Sequence, residues 1–171
     1  MTAEAATTAA PAALPVPPIE IMGDIRPFAA GLTVRTRRRT LTDGDFAMLI
    51  NATWEDAPLH TDNVYAATTK PGRRILGGPC LLAVAAGLST ETMYAMWGRA
   101  SLECITALGI DAIRYHAPVF PNDTVQLEMH IAELEPTPHG SALVCLIRDR
   151  VLNQDEQVTL TMERRYLLKR S

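Results

Sequence analysis

The sequence predicts an α+β fold in which an antiparallel sheet curls around one buried helix. Helical patterns dominate the first half of the chain and strand patterns the second half. The segment 81–88 is apolar on every side of a helix, which is typical of a helix inside a core. Segments 125–131 and 158–163 alternate apolar and polar residues, the period of strands with one buried face.

The chain has 171 residues, enough for one domain with a sizeable core. Residues 1–20 are rich in Ala, Thr and Pro and predict a flexible tail, which leaves residues 21–171 as the single folded domain. The net charge of −3 gives no electrostatic reason to expect nucleic acid or a membrane surface as partner.

Three cysteines, Cys80, Cys104 and Cys145, are an odd number at wide spacing. This pattern fits neither a disulfide framework nor a zinc site and indicates free thiols in a reducing compartment. We expect no secretory signal, and no stretch reaches the roughly 18–20 apolar residues that span a bilayer. The expected location is the cytoplasm.

The elements before the buried helix are short. Segment 33–41 is rich in β-branched residues but polar on both faces, so it predicts an edge strand. Thr42 and Asp45 have the spacing of a capping box and begin a helix that ends before a loop at 54–60. Thr61 or Asp62 then caps a second short helix that continues to Ala67.

Pro79 suits the first position of the buried helix, which we expect to reach Met93 or Met96. The strand patterns follow it, and turn residues separate them. Segment 142–147 is apolar on both faces and predicts a central strand. The expected strand regions are 101–108, 110–117, 125–131, 142–147 and 158–163.

An acid–histidine cluster lies between the first two helices. Glu55, Asp56 and His60 fall within six residues, and Pro58 stiffens the backbone between them. A carboxylate and an imidazole are the usual groups for moving protons near neutral pH. The alternative is a solvated surface turn in which His60 caps the next helix.

The start of the buried helix is a second candidate site. Free amides at Gly77 and Gly78, with the positive end of the helix dipole, favour an anion or a polarised carbonyl oxygen. The alternative is a tight turn that needs glycine only for its conformation. Cys80, in the first helical turn, is a possible thiolate nucleophile, although free cysteines are more often buried small apolar residues.

Three motifs together resemble the MaoC-like dehydratases, a family that includes the (R)-specific enoyl-CoA hydratases. The resemblance covers residues 33–168. It implies the hot-dog fold, an antiparallel sheet around a central helix, and a dimer with sites at the subunit interface. The motifs are Pro58-Leu59-His60-Thr61-Asp62, Gly72-Arg73-Arg74-Ile75-Leu76-Gly77-Gly78 and Pro118-Val119-Phe120-Pro121-Asn122-Asp123-Thr124.

The hydratase motif of that family reads Gly-Asp-x-Asn-Pro-aliphatic-His. In register, the catalytic histidine falls on His60, with Pro58 and Leu59 matching as well, and the catalytic aspartate falls on Glu55. Asp56 lies one position away and stays an alternative carboxylate. The motif glycine is replaced by Trp54 and the asparagine by Ala57.

A second part of the resemblance concerns substrate binding. Gly78 matches the glycine whose amide holds the thioester oxygen, and Gly77 stands where the family usually has histidine. Trp54 either reshapes the acyl pocket or simply packs. Pro58 and Cys80 complete the set of residues expected near the substrate.

The resemblance implies a hydratase or dehydratase that adds or removes water at the β-carbon of an acyl thioester. The substrate would be carried by coenzyme A or by the phosphopantetheine of an acyl-carrier protein, with no cofactor and no metal. The expected assembly is a homodimer or a dimer of dimers. Two alternatives remain on the same fold, a thioesterase and a catalytically impaired subunit that only binds acyl thioesters.

Overall fold

The computed structural model describes residues 28–171, so the predicted tail at 1–20 and the domain start at residue 21 lie outside the described residues. Within that range the chain forms short elements first, one long helix next and four long strands last. The elements are β1 Thr33–Arg35, β2 Arg39–Thr40, α1 Asp43–Thr53, α2 Pro58–Thr61, α3 Asn63–Ala67, α4 Gly78–Arg99, β3 Leu102–Tyr115, β4 Thr124–Pro136, β5 Leu143–Leu152 and β6 Val158–Arg170.

The strands form an antiparallel sheet in the order β1-β4-β5-β6-β3, and β2 pairs with β4 beside this path. This arrangement confirms the predicted α+β class. Strand β5 lies in the middle of the order, as its two apolar faces predicted, and β1 lies at one edge. The long strand β3 forms the opposite edge.

Helix α4 packs against the sheet through one side of its surface. Nine of its residues are buried: Cys80, Leu81, Ala85, Leu88, Ser89, Thr92, Met93, Met96 and Trp97. The expectation of burial all round is wrong on the opposite side, where Ala83, Gly87 and Glu91 are exposed. These residues are four apart and therefore lie on one helical face.

Three predicted boundaries need correction. Segment 33–41 forms two short strands rather than one. Segments 101–108 and 110–117 form the single strand β3, because shifts in its pairing with β6 bend it without ending it. The predicted loop at 54–60 contains the start of α2, whose first residue is Pro58.

The arginine-rich segment 35–39, at and after the edge strand β1, forms ion pairs with carboxylates. Arg35 contacts Glu128 and Glu156 at 2.9 Å each. Arg39 contacts Asp45 at 2.8 Å, and Asp45 also closes the predicted capping box with Thr42. These arginines are therefore engaged with carboxylates at the surface of the strand.

A buried ion pair joins the sheet to helix α4. The Arg164 guanidinium donates to both carboxylate oxygens of Asp149, at 2.5 and 2.9 Å, and both side chains are almost fully buried. A further guanidinium nitrogen donates to the Ser89 hydroxyl at 2.7 Å and to the Tyr166 hydroxyl at 3.0 Å. One side chain thus joins β5, β6 and the middle of α4.

Removing one partner of this pair should be costly. We predict that Asp149→Ala lowers the free energy of unfolding by about 3–5 kcal/mol, because it leaves the Arg164 charge buried without a counter-charge. The double variant Asp149→Ala/Arg164→Met should recover most of that loss, since no buried charge remains. Urea denaturation measures both. Equal destabilisation of the single and double variants would contradict the prediction.

Candidate active site

His60 is held by backbone contacts on both sides. Its amide bonds to the Ala57 carbonyl at 2.8 Å inside the first turn of α2, and its ring is buried. Ring nitrogen Nδ1 lies 2.9 Å from the carbonyl oxygen of Ile75, just before α4. A carbonyl oxygen only accepts, so Nδ1 carries the proton and Nε2 keeps a free lone pair when the ring is neutral.

The free nitrogen of His60 faces Glu55. Glu55 Oε1 lies 3.8 Å from His60 Nε2. The Glu55 amide donates to the Ile50 carbonyl at 3.3 Å, which fixes the acid at the end of α1. Asp56 is exposed and makes no hydrogen bond or ion pair with the His60 ring among the described residues. The structure therefore brings together His60 and Glu55, the carboxylate favoured by strict register.

The separation of this pair suits a shared water molecule. At 3.8 Å the two groups are too far apart for a direct hydrogen bond. A water molecule can lie about 2.8 Å from both Oε1 and Nε2 and donate a proton to each. Two acceptors directed at one water are what general-base activation of that water requires.

Gly77 gives Glu55 the space that it occupies. A Cβ atom at position 77 would lie 2.5 Å from Glu55 Cγ, which is closer than non-bonded carbons approach. The two positions therefore depend on each other, because Glu55 can lie there only while residue 77 has no side chain. This packing gives Gly77 a steric role next to the pair.

Gly78 lines a cavity of about 640 Å³ at the start of α4. The Gly78 amide makes no backbone or side-chain hydrogen bond with another residue of the range 28–171. It lies at the positive end of a 22-residue helix, a position that favours a developing negative charge. The lining includes His60, Gly78, Pro79, Leu81, Tyr115 and Val119.

The other predicted site residues lie outside this lining. The Trp54 side chain is 86% exposed, Pro58 starts α2, and Cys80 is fully buried with its sulfur 3.1 Å from the Thr53 hydroxyl. This burial favours the interpretation of Cys80 as a packed thiol.

Tyr115, by contrast, lines the cavity and was not predicted. Its signal in the sequence was only an aromatic residue shortly before Pro118.

The backbone at Trp54, where the family motif has glycine, adopts a conformation that favours glycine. Trp54 ends α1 in the left-handed conformation, with φ of 59° and ψ of 25°. Glycine adopts this conformation freely, whereas any residue with a Cβ meets steric opposition of roughly 1–2 kcal/mol. Tryptophan at this position therefore carries local strain.

The architecture is that of a hot-dog fold, and an acid–histidine pair lies beside the N-terminus of its central helix α4. A family model described as a MaoC like domain matches residues 27–139. The chain belongs to this MaoC-like family, as its motifs indicated.

Individual relatives agree with this assignment. Protein MaoC of Klebsiella aerogenes is 29% identical over 99 residues, which are 58% of this chain and 28% of that protein. The chain therefore spans less than a third of that relative's length.

Solved structures show the same fold. A structure described as the monoamine oxidase regulatory protein from Archaeoglobus fulgius is 26% identical, with a TM-score of 0.74 over 83% of this chain and 91% of that one. The (R)-hydratase from A. caviae involved in PHA biosynthesis is 21% identical, with a TM-score of 0.66 over 85% and 99%. At that identity the second likeness supports the fold alone.

Glycine at position 54 should stabilise the protein. We predict that Trp54→Gly raises the free energy of unfolding by about 1 kcal/mol, because it relieves the left-handed strain while removing a mostly exposed side chain. In a chain of this size that gain corresponds to roughly 2–4 °C in Tm. Differential scanning calorimetry measures the shift.

Ala52→Gly is the matched control, since it introduces the same residue at an exposed helical position two residues earlier. It should lower stability by about 1 kcal/mol. Destabilisation by both substitutions would refute the strain argument.

Proposed function

We propose that this MaoC-like protein is a hydro-lyase that adds water to, or removes it from, the β-carbon of an acyl thioester. The observation that carries the proposal is the Glu55–His60 pair, 3.8 Å apart beside the open helix start at Gly78. The reaction needs proton transfer and stabilisation of negative charge on the carbonyl oxygen. The Glu55–His60 pair serves the first need and the helix start at Gly78 the second.

The chemistry of hydration assigns a task to each group. The thioester carbonyl oxygen accepts a hydrogen bond from the Gly78 amide, which stabilises the enolate formed in the transition state. The water oxygen bonds to the β-carbon while the pair accepts one of its protons, and the pair returns one proton to the α-carbon. Dehydration runs the same steps in reverse.

His60 Nε2 is suited to take the water proton because Nδ1 already donates to Ile75. Glu55 holds the other side of the water and balances the charge of the imidazolium that forms. The longer arm of glutamate takes the place of aspartate in the family motif. Asp56 has no part in this assignment.

The substrate carrier in this proposal is coenzyme A or a phosphopantetheine arm, and no resident cofactor takes part. Lys70 and Pro71 lie at the same cavity as His60, so a basic side chain is available where a phosphate-bearing carrier would enter. Cytoplasmic location is part of the proposal, supported by the free thiols of Cys80, Cys104 and Cys145. No helix among residues 28–171 combines the length and apolar character of a membrane span.

The proposed assembly of this protein is a homodimer. Strand β3 is a 14-residue sheet edge, and its side chains Ile105, Leu108 and Ile110 are exposed. Long apolar edges pair with other chains unless they are protected. Pairing of β3 with β3 of a second copy would continue the sheet and cover these side chains.

The catalytic assignment is tested by three substitutions assayed with crotonyl-CoA. We predict that His60→Ala and Glu55→Gln each lower kcat at least about 100-fold, because each removes one of the two groups that handle the proton. Asp56→Asn is the matched control and should stay within about twofold of the unsubstituted protein. Loss of enoyl absorbance measures hydration, and circular dichroism checks that each variant is folded.

The same assay separates the alternatives. Release of free thiol without loss of the double bond would identify a thioesterase. Binding of the thioester with neither reaction would identify a subunit that only binds. A large loss in Asp56→Asn with none in Glu55→Gln would show that the catalytic carboxylate was assigned wrongly.

The dimer is tested at the exposed strand edge. We predict that Leu108→Glu shifts the molecular mass in solution from about twice 18.7 kDa towards 18.7 kDa, because a charge would be buried in the new sheet contact. Val64→Glu is the control, since Val64 is also an exposed apolar residue but lies on α3. Light scattering after size-exclusion chromatography measures the mass. A monomeric unsubstituted protein would contradict the proposal, and a tetramer would indicate a dimer of dimers.

A further inference from the structure

Tyr115 is aimed at the cavity by an irregularity in strand β3. It is the last residue of β3 and pairs with Leu160 of β6. The pairing shifts between Asp111 and Arg114, and Ala112 within that shift has a φ of 51°. Such bulges redirect the side chains that follow them. The positive φ at Ala112 is a local cost that accompanies this redirection.

The end of the Tyr115 ring lies against Gly78. A Cβ atom on Gly78 would be 2.7 Å from Tyr115 Cζ and 3.0 Å from its hydroxyl oxygen. The phenol therefore reaches the backbone of the first residue of α4, and it does so only because that residue is glycine. Tyr115 and His60 line the same cavity.

The phenol is an available hydrogen-bond donor. Tyr115 is 52% exposed, its hydroxyl makes no hydrogen bond to another residue within 28–171, and Glu55 is close enough to act on it electrostatically. Partial burial, and then the negative charge of Glu55, raise the pKa of Tyr115 above its usual value. The hydroxyl thus keeps its proton throughout the neutral range.

Two donors that have no partner among residues 28–171 therefore lie next to each other at the start of α4, the Gly78 amide and the Tyr115 hydroxyl. We propose that Tyr115 donates a second hydrogen bond to the thioester carbonyl oxygen, alongside the Gly78 amide. This inference rests on the proposed function, because the ligand atom is the oxygen of that substrate. The proton of the phenol stays on its oxygen, and the hydrogen bond strengthens as negative charge develops on the enolate.

The kinetic test is Tyr115→Phe, which removes the hydroxyl and keeps the ring against Gly78. With crotonyl-CoA as probe, kcat for hydration should fall about 10–1,000-fold while KM changes less than about threefold, as expected for a donor that acts mainly in the transition state. Tyr65→Phe is the matched control, because Tyr65 is an exposed tyrosine on α3 outside the cavity lining. It should keep full activity.

A second measurement does not depend on turnover. Infrared difference spectroscopy with butyryl-CoA labelled with ¹³C at the thioester carbonyl reports the hydrogen bonds to that oxygen, and a saturated chain cannot be hydrated. The bound carbonyl band should lie at a lower frequency in the unsubstituted protein than in Tyr115→Phe. Tyr65→Phe should match the unsubstituted protein.

The two measurements separate this inference from the proposed function. Hydration that is equally fast in Tyr115→Phe, with an unchanged carbonyl band, would overturn the role of Tyr115 and leave the hydro-lyase proposal standing. No hydration in the unsubstituted protein, with a carbonyl band that still depends on Tyr115, would overturn the hydro-lyase proposal and support the contact. Failure to bind the thioester would overturn both.

Discussion

The hydrogen bond between His60 Nδ1 and the Ile75 carbonyl is the interaction on which the candidate site depends. It joins the short helix α2 to the segment that enters α4, so the His60 ring and the helix start hold a fixed relation. It also decides which ring nitrogen is free, because the carbonyl oxygen requires a proton on Nδ1. Without it, the ring could rotate and Nε2 would lose its direction towards Glu55.

The departures from the family motif are connected physically. Glu55 has one more methylene than the aspartate that the motif specifies, and its Cγ occupies the space next to Gly77. The family usually has histidine at that position, and no side chain at residue 77 would fit beside Glu55 in its present conformation. Trp54 makes a left-handed turn at the position of the motif glycine. With these departures from the motif, the structure still places a carboxylate 3.8 Å from His60 Nε2.

The sequence predicted the parts of the fold that follow from local patterns. The capping box of Thr42 and Asp45, the central position of β5 and the helix starting at Pro79 all follow from spacing and hydrophobic period. The continuity of β3 could not be predicted in this way, because it depends on pairing with β6 across bulges. The sequence pattern of α4 also did not reveal its exposed face, since Ala and Gly occur both in protein cores and at protein surfaces.

The candidate site could be proposed from the sequence where its residues are close along the chain. Glu55 and His60 lie five positions apart, and the sequence alone identified both as candidates. The choice between Glu55 and Asp56 needed side-chain geometry, because one step of register changes the direction of a carboxylate. Tyr115 could not be found from the sequence, since it approaches Gly78 only through tertiary packing at the end of β3.

The most direct test of the account is a crystal structure of the protein with butyryl-CoA bound. The thioester carbonyl oxygen should lie within about 3 Å of the Gly78 nitrogen. The β-carbon should face the gap between Glu55 Oε1 and His60 Nε2. An acyl chain that enters elsewhere, or a β-carbon outside the reach of a water held by that pair, would contradict the account.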